Sequence, residues 1–108
     1  MASSAEKKEI KRLTEIYITL PPKQFALAQG LIAEAARLRV RCDALWDDLQ
    51  ENGEVEMFSQ SENTEPYERE RPASRIYTAA NKAYQSIIKQ LNDMIPKDEA
   101  PAGGFDVS

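Results

Sequence analysis

PKQFALAQGLIAEAARLRVRCDALWDDLQENG, residues Pro22–Gly53, carries apolar or small side chains at Ala28, Leu31, Ala35, Leu38, Cys42, Leu45 and Leu49. The steps between them are 3, 4, 3, 4, 3 and 4 residues, which keeps them on one stripe of an α-helix through three heptads. Phe25, Ile32 and Trp46 broaden that stripe. Pro22 suits a first helical position, where its missing N–H costs little. Asn52-Gly53 supplies a stop, with glycine where positive φ is favoured. Gly30 weakens one turn without ending the helix. From Pro22 to Gln50 such a helix is about 43 Å long, and its stripe has to be covered by something.

A second seam of the same kind follows. Ala73, Tyr77, Ala80, Tyr84, Ile87, Leu91 and Met94 repeat at 4, 3, 4, 3, 4 and 3 residues, widened by Ile76, Ala83, Ile88 and Ile95. Pro72 opens this run and Pro96 closes it. Near the start of the chain, Ser3 and Glu6 have capping-box spacing. Ile10, Leu13, Tyr17 and Leu20 then mark one helical face, while β-branched Ile16 and Ile18 weaken its last turn. Pro21-Pro22 stops it.

The expectation is an all-α fold in a single domain over residues 1–96. Three helices, at about 5–19, 22–51 and 72–95, are dominated by a long antiparallel hairpin of the second and third. The first covers one side. Small residues at Ala28, Ala35, Ala73 and Ala80 allow close helix approach. Stripes this wide favour assembly, although pattern alone gives a monomeric three-helix hairpin equal weight. The candidate core or oligomerisation seam is Leu31, Ala35, Leu38, Leu45, Leu49, Tyr77, Ala80, Tyr84, Ile87 and Leu91. Residues 97–108, with Pro101, Gly103 and Gly104, read as a flexible tail in which Phe105 and Val107 are the only larger apolar groups.

Between the two long helices, Glu54-Val55-Glu56-Met57 alternates for only four residues, too few to establish a strand. Ser59–Pro66 is polar and aperiodic. An irregular acidic connection is expected, with a short extended piece packed by Val55, Met57 and Phe58. The charged stretch Tyr67–Arg71 reads as a helix start in which Glu68/Arg71 and Glu70/Arg69 neutralise one another, with Tyr67 packed under the loop.

Composition removes many chemistries. The chain has 108 residues, one cysteine (Cys42) and no histidine, so an internal disulfide, a Cys/His zinc site and histidine-based triads are excluded. No phosphate-binding or dinucleotide-binding glycine motif occurs among its four glycines. No catalytic residue, metal ligand or cofactor is assigned, and a non-enzyme is expected. Only 7% of the residues are aromatic, which favours a slender core of Leu, Ile and Ala. The N-terminus is polar through Glu9 and no apolar run approaches the about 20 residues of a membrane span. A soluble, cytoplasmic protein without membrane contact is expected.

Charge is unevenly distributed. Residues 1–41 hold eight Lys/Arg against four Asp/Glu, a balance of +4. Residues 42–70 hold one against ten, a balance of −9, and residues 71–108 five against four, a balance of +1. Lys7/Lys11 and Lys8/Arg12 are each one helical turn apart and form a basic patch suited to phosphates. Glu6, Glu9 and Glu15 offset part of it, and a plain solvated surface is the competing reading. Arg37, Arg39 and Arg41 point to different sides of their helix, with Arg37 and Arg41 placed to pair with Glu34 or Asp48. The acidic set Asp43, Asp47, Asp48, Glu51, Glu54 and Glu56 has no calcium-loop spacing and suits solvation or a basic neighbouring subunit.

The order of these features resembles the small terminase subunits of tailed phages and prophages, in particular the short forms from phages of Gram-positive bacteria. The similarity runs over about residues 7–97. Its most specific piece is RP-x-x-x-I-Y followed by N-K and I-I-K-Q-L-N-D-M-I-P, residues 71–96, supported by the L-x-x-N-G to F-x-Q bridge, residues 49–60. The resemblance implies a ring-forming packaging component in the bacterial host cytoplasm, without chemistry of its own. Its implied partners are double-stranded DNA, a large terminase subunit and further copies of itself. Lys7, Lys8, Lys11 and Arg12 are then the first candidates for DNA contact, with Arg69 and Arg71 placed to meet DNA or a neighbour. The acidic balance departs from a usual DNA binder, and no clear helix-turn-helix follows Pro21-Pro22. Phosphate contact is therefore expected rather than base readout. The rival class is a helical scaffold that binds another protein through its heptad stripe and does not bind DNA.

Overall fold

The computed structural model describes residues 2–96; the expected tail, with Phe105 and Val107, lies outside them. Helix α1 spans Ser4–Tyr17, α2 Pro22–Asn52 and α3 Pro72–Asp93, and strands β1 (Val55–Phe58) and β2 (Tyr67–Glu70) lie between α2 and α3. The three expected helices are present, with α1 and α3 each two residues shorter at their C-terminal ends than expected.

Local chemistry explains where each helix begins and ends. The Ser3 hydroxyl accepts from the Glu6 N–H at 3.1 Å and the Glu6 carboxylate accepts from the Ser3 N–H at 3.0 Å, a reciprocal cap that satisfies two otherwise orphaned donors. Prolines occupy the first positions of α2 and α3. Gly53 closes α2 at φ +83° and donates its N–H to the Leu49 carbonyl at 2.8 Å. Side chains rarely adopt that backbone conformation, so glycine is required there.

The packing has two unlike halves. At one end α1 lies on the first half of α2 and the last turns of α3. Leu13, Tyr17 and Leu20 meet Ala28, Ile32, Ala35 and Leu91 there, flanked by Phe25, Tyr84, Ile87 and Ile88. Leu13, Ile32 and Leu91 are fully buried, each stabilising the fold by about 1.5–3 kcal/mol. At the other end only α2 and α3 pack together, through Cys42, Leu49 and Ala80 and through the Trp46 and Tyr77 rings, whose centroids are 5.5 Å apart. The body measures 64 × 37 × 20 Å with a radius of gyration of 18.8 Å, against about 13 Å for a compact domain near this size. It is a thin, elongated blade.

The connection is not irregular throughout. β1 and β2 form an antiparallel hairpin with Val55 opposite Glu70, Glu56 opposite Arg69, Met57 opposite Glu68 and Phe58 opposite Tyr67. Cross-strand partners share a face. One face therefore holds the Glu56–Arg69 ion pair at 2.7 Å and the edge-to-face Phe58 and Tyr67 rings at 5.9 Å. Val55 and Met57, expected to pack, stand on the other face and are exposed. Tyr67 is exposed against Phe58 rather than tucked beneath a loop. In the loop between the strands, the Ser59 hydroxyl lies 2.6 Å from the Ser61 carbonyl and 2.8 Å from that of Thr64. Four-residue strands fall below what periodicity can identify, and their cross-strand pairs appear only once the register is known.

Candidate nucleic-acid interface

The capping box fixes where α1 starts, and that sets the direction of its lysines. Leu13 and Tyr17 turn inward, so Lys7, Lys8 and Lys11 fall on the outward side and are exposed. None of the three has an ion-pair partner among the described residues. Arg12 differs. Its Nε and Nη2 donate to the two Glu9 carboxylate oxygens at 2.8 and 2.6 Å, a forked pair one turn long. That hydrogen-bonded pairing raises the Arg12 guanidinium above its ordinary pKa and holds the Glu9 carboxyl below the usual carboxylate range. Three ammonium groups thus present free positive charge, with a compensated arginine beside them.

Arg69 and Arg71 are not brought to this patch. Arg69 lies in β2 and Arg71 caps α3, at the far end of α2, about 24 Å along that helix from Arg37, beside which α1 begins, at about 1.5 Å per residue. Arg69 donates from Nε to Glu56 at 2.7 Å and lays its guanidinium 3.6 Å from the centre of the Phe58 ring, a cation–π contact. Arg71 is more deeply committed. Its Nη1 donates to the Gly53 carbonyl at 2.7 Å, its Nη2 to both Asp48 oxygens at 3.1 Å, and its N–H to the Glu54 carbonyl at 2.8 Å. The Asp48 carboxyl lies below its ordinary pKa, first through the Asn52 amide and then through Arg71. Sequence proximity suggested Glu68/Arg71 and Glu70/Arg69 pairs. In the fold Glu70 instead accepts from the buried Ser74 hydroxyl at 2.9 Å and faces Arg75 at 3.6 Å.

The seam residues lie where two helices meet. Ala35, Leu49, Ala80 and Leu91 are buried, and Leu31, Leu38, Leu45, Tyr77, Tyr84 and Ile87 are half-buried. Arg37 pairs with Glu34 at 3.1 Å and Arg39 with Asp43 at 3.5 Å, while Arg41 has no ionic partner among the described residues. Of the acidic set, Asp43, Asp48 and Glu56 each meet an arginine. No group of three or more potential metal-ligating side chains converges among the described residues, and no described helix is long and apolar enough to cross a membrane. Four relationships escaped the sequence reading: the hairpin, the Arg71–Asp48 clasp, the Arg69–Phe58 stack and a bond from Tyr17 to Asn92. Only the four-residue alternation at Glu54–Met57 hinted at the first.

Electrostatically, the blade carries free lysines at its three-helix end and an acidic hairpin at its two-helix end, a polarity that suits an anionic ligand at the first and repels it at the second. Comparison of the chain with protein families, curated proteins and solved structures returns no match in any of the three.

Proposed function

We propose that this chain is a non-catalytic adaptor for packaging viral DNA, of the terminase small-subunit kind. In this reading it self-associates in the host cytoplasm, holds double-stranded DNA through phosphate contacts and presents it to a large terminase subunit that supplies the chemistry. The observation that carries the reading is the exposed lysine set Lys7, Lys8 and Lys11 on a rigidly capped helix, remote from the acidic hairpin. The resemblance of residues 71–96 to that family points the same way. Lys7 and Lys8 on one turn and Lys11 on the next can meet neighbouring phosphates of one duplex. Arg12 contributes less because Glu9 already compensates it, and Arg69 and Arg71 would have to leave internal partners to reach DNA.

A gel-shift titration with duplex DNA at two salt concentrations tests this reading. Binding should weaken steeply as salt rises, and replacing Lys7, Lys8, Lys11 and Arg12 by alanine should abolish most of it. Undiminished affinity in that variant would remove the DNA assignment. A second reading, a helical scaffold without DNA binding, is favoured by the apolar α2/α3 surface that α1 leaves uncovered. Self-assembly with no affinity for DNA or for a large terminase subunit would select it.

A further inference from the structure

Helix α1 begins beside Arg37 of α2, and the groove between α2 and α3 lies open beyond that point. Arg39, Asp43 and Trp46 of α2 and Tyr77, Asn81 and Tyr84 of α3 line a cavity of about 210 Å³ there. Pockets for drug-sized ligands start at about 300 Å³, so this one suits a single small planar group rather than a whole cofactor.

Its walls combine aromatic faces with uncommitted polar groups. The Trp46 and Tyr77 rings have centroids 5.5 Å apart and are tilted by 43°, yet the indole remains 49% exposed. The Arg39 guanidinium sits 5.8 Å from the centre of the Tyr84 ring and 3.5 Å from Asp43. The side chains of that ion pair are 50% and 66% exposed; a pair so exposed contributes little and can be shared with a ligand. The Asn81 amide has no hydrogen-bond partner among the described residues.

These groups select the occupant. An aliphatic protein segment would set Arg39, Asp43 and Asn81 against apolar surface, at a desolvation cost. A nucleobase would not. Its face stacks on Trp46, and its edge carries donors and acceptors that match an amide and a carboxylate. The groove also adjoins the cationic patch of α1. The Arg12 pKa is raised first by Glu9 and also by the Tyr84 phenol, which sets Arg12 at the rim. Lys8, one helical turn before Arg12, has no ion-pair partner among the described residues. Phosphates flanking a seated base would therefore meet positive charge along that rim.

We propose that this groove seats one unstacked base of single-stranded DNA, with Trp46 as the stacking platform, Asn81 and Asp43 at the base edge and Arg39 facing the adjoining phosphate. The inference rests on the nucleic-acid ligand of the reading above and extends it from duplex phosphates to an unpaired base.

Trp46 is the only tryptophan in the chain, so its fluorescence reports on this site alone. Oligothymidylate of about 12 nucleotides, within the span of known single-strand sites, should quench that fluorescence saturably. An abasic strand of equal length keeps the phosphates and loses the bases; it should bind about tenfold more weakly or worse and leave the fluorescence unchanged. Anisotropy of a labelled strand reads the variants. Trp46→Ala should weaken oligothymidylate binding about tenfold or more, and Trp46→Phe should recover part of the loss. Asn81→Leu should weaken it about threefold or more. Duplex affinity in a gel shift should stay within about twofold for all three, a split that general destabilisation would not produce. Circular dichroism melts confirm that the variants fold. Fluorescence unmoved by oligothymidylate overturns the proposal, as does equal quenching by the abasic strand. Thymidine monophosphate binding as tightly as the strand would make the ligand a free nucleotide, and tighter binding of oligouridylate would make it RNA; either result overturns the proposal. Duplex binding with a silent Trp46 would sink this inference alone. Saturable quenching without duplex affinity would uphold it and sink the duplex reading.

Discussion

The Tyr17 hydroxyl donates to the Asn92 side-chain carbonyl at 2.7 Å, joining residues 75 apart in the chain. Tyr17 ends α1 and is 2% exposed, and Asn92 lies in the last turn of α3. This bond fastens the end of α1 to the last turn of α3, while the ring packs in the core cluster with residues of α2 and α3.

Replacing Tyr17 by Phe should keep the packing and lose the bond, at about 1 kcal/mol; Tyr17→Ala also opens a cavity and should cost about 3–5 kcal/mol. A double-mutant cycle with Asn92→Ala should show coupling between the two sites. The phenol also carries a pH signature. Burial, and then the neighbouring Tyr84, raise its pKa above the ordinary value of 10.0. Its folded value therefore exceeds its unfolded one. The associated stability is complete below pH 10 and is lost as pH rises through the folded value, because the unfolded chain releases the proton first. Melting temperatures taken from pH 8 to 11 should fall less steeply for Tyr17→Phe than for the wild type. Identical alkaline slopes would refute the link.

Arg71 should behave as the clasp of the hairpin. A two-stranded sheet of four-residue strands is not stable alone, and here its base is held by guanidinium bonds to Asp48 and Gly53. Arg71→Ala should speed amide exchange at Val55–Phe58 and Tyr67–Glu70 by about tenfold or more, leaving α1 protected. Arg71→Lys should not restore protection, since an ammonium cannot span both acceptors as the planar fork does. Asp48 lies below its unfolded pKa. Its contribution is present above the ordinary carboxylate value near 3.8 and fades as pH falls through the folded value, so the hairpin should loosen first in acid.

These contacts also show what a sequence can and cannot display. The capping box, both seams and the proline and glycine stops depend on residues within a few positions of one another, so helix boundaries are legible to within two residues. Leu31, Leu38 and Leu45 reveal a stripe, but which side α1 leaves bare depends on where Tyr17 finds Asn92. The lysine patch is legible because its spacing is helical. That its charge is partly offset is legible too; that the offset falls on Arg12 through Glu9 is not, because Glu15 three residues later looks equally suitable as a partner. For Arg69 and Arg71, sequence neighbours Glu68 and Glu70 suggest local neutralisation. Cross-strand pairing sends Arg69 to a partner 13 residues away, and the cap position at the start of α3 sends Arg71 to partners 18 and 23 residues away instead.

Two glycines should respond oppositely to alanine. A Cβ at Gly30 would meet nothing within 4 Å, and the residue sits inside α2. Gly30→Ala should stabilise the fold by about 0.5–1 kcal/mol by lowering the entropy of the unfolded chain. Space is also open at Gly53, but its φ of +83° is not; Gly53→Ala should destabilise by about 1 kcal/mol or more. Chemical denaturation midpoints, with unchanged slopes, provide the comparison.

The salt dependence of DNA binding should divide the basic residues of α1 by their internal partners. Each phosphate neutralised by a free lysine adds about 0.9 to the log–log slope of affinity against salt. Lys7→Ala, Lys8→Ala and Lys11→Ala should each lower that slope by up to about 1. Arg12→Ala should lower it by clearly less, because its guanidinium is already forked onto Glu9 at 2.8 and 2.6 Å. Glu9→Gln should strengthen binding and steepen the slope by releasing Arg12, and by more than Glu15→Gln, which removes the same charge without freeing an arginine. Arg71→Ala should leave the slope unchanged, its charge being spent on Asp48. If Arg12→Ala flattens the slope as much as a lysine change, the Glu9 fork does not restrain Arg12 in solution. If Arg71→Ala flattens it most, DNA lies on the hairpin rather than on α1.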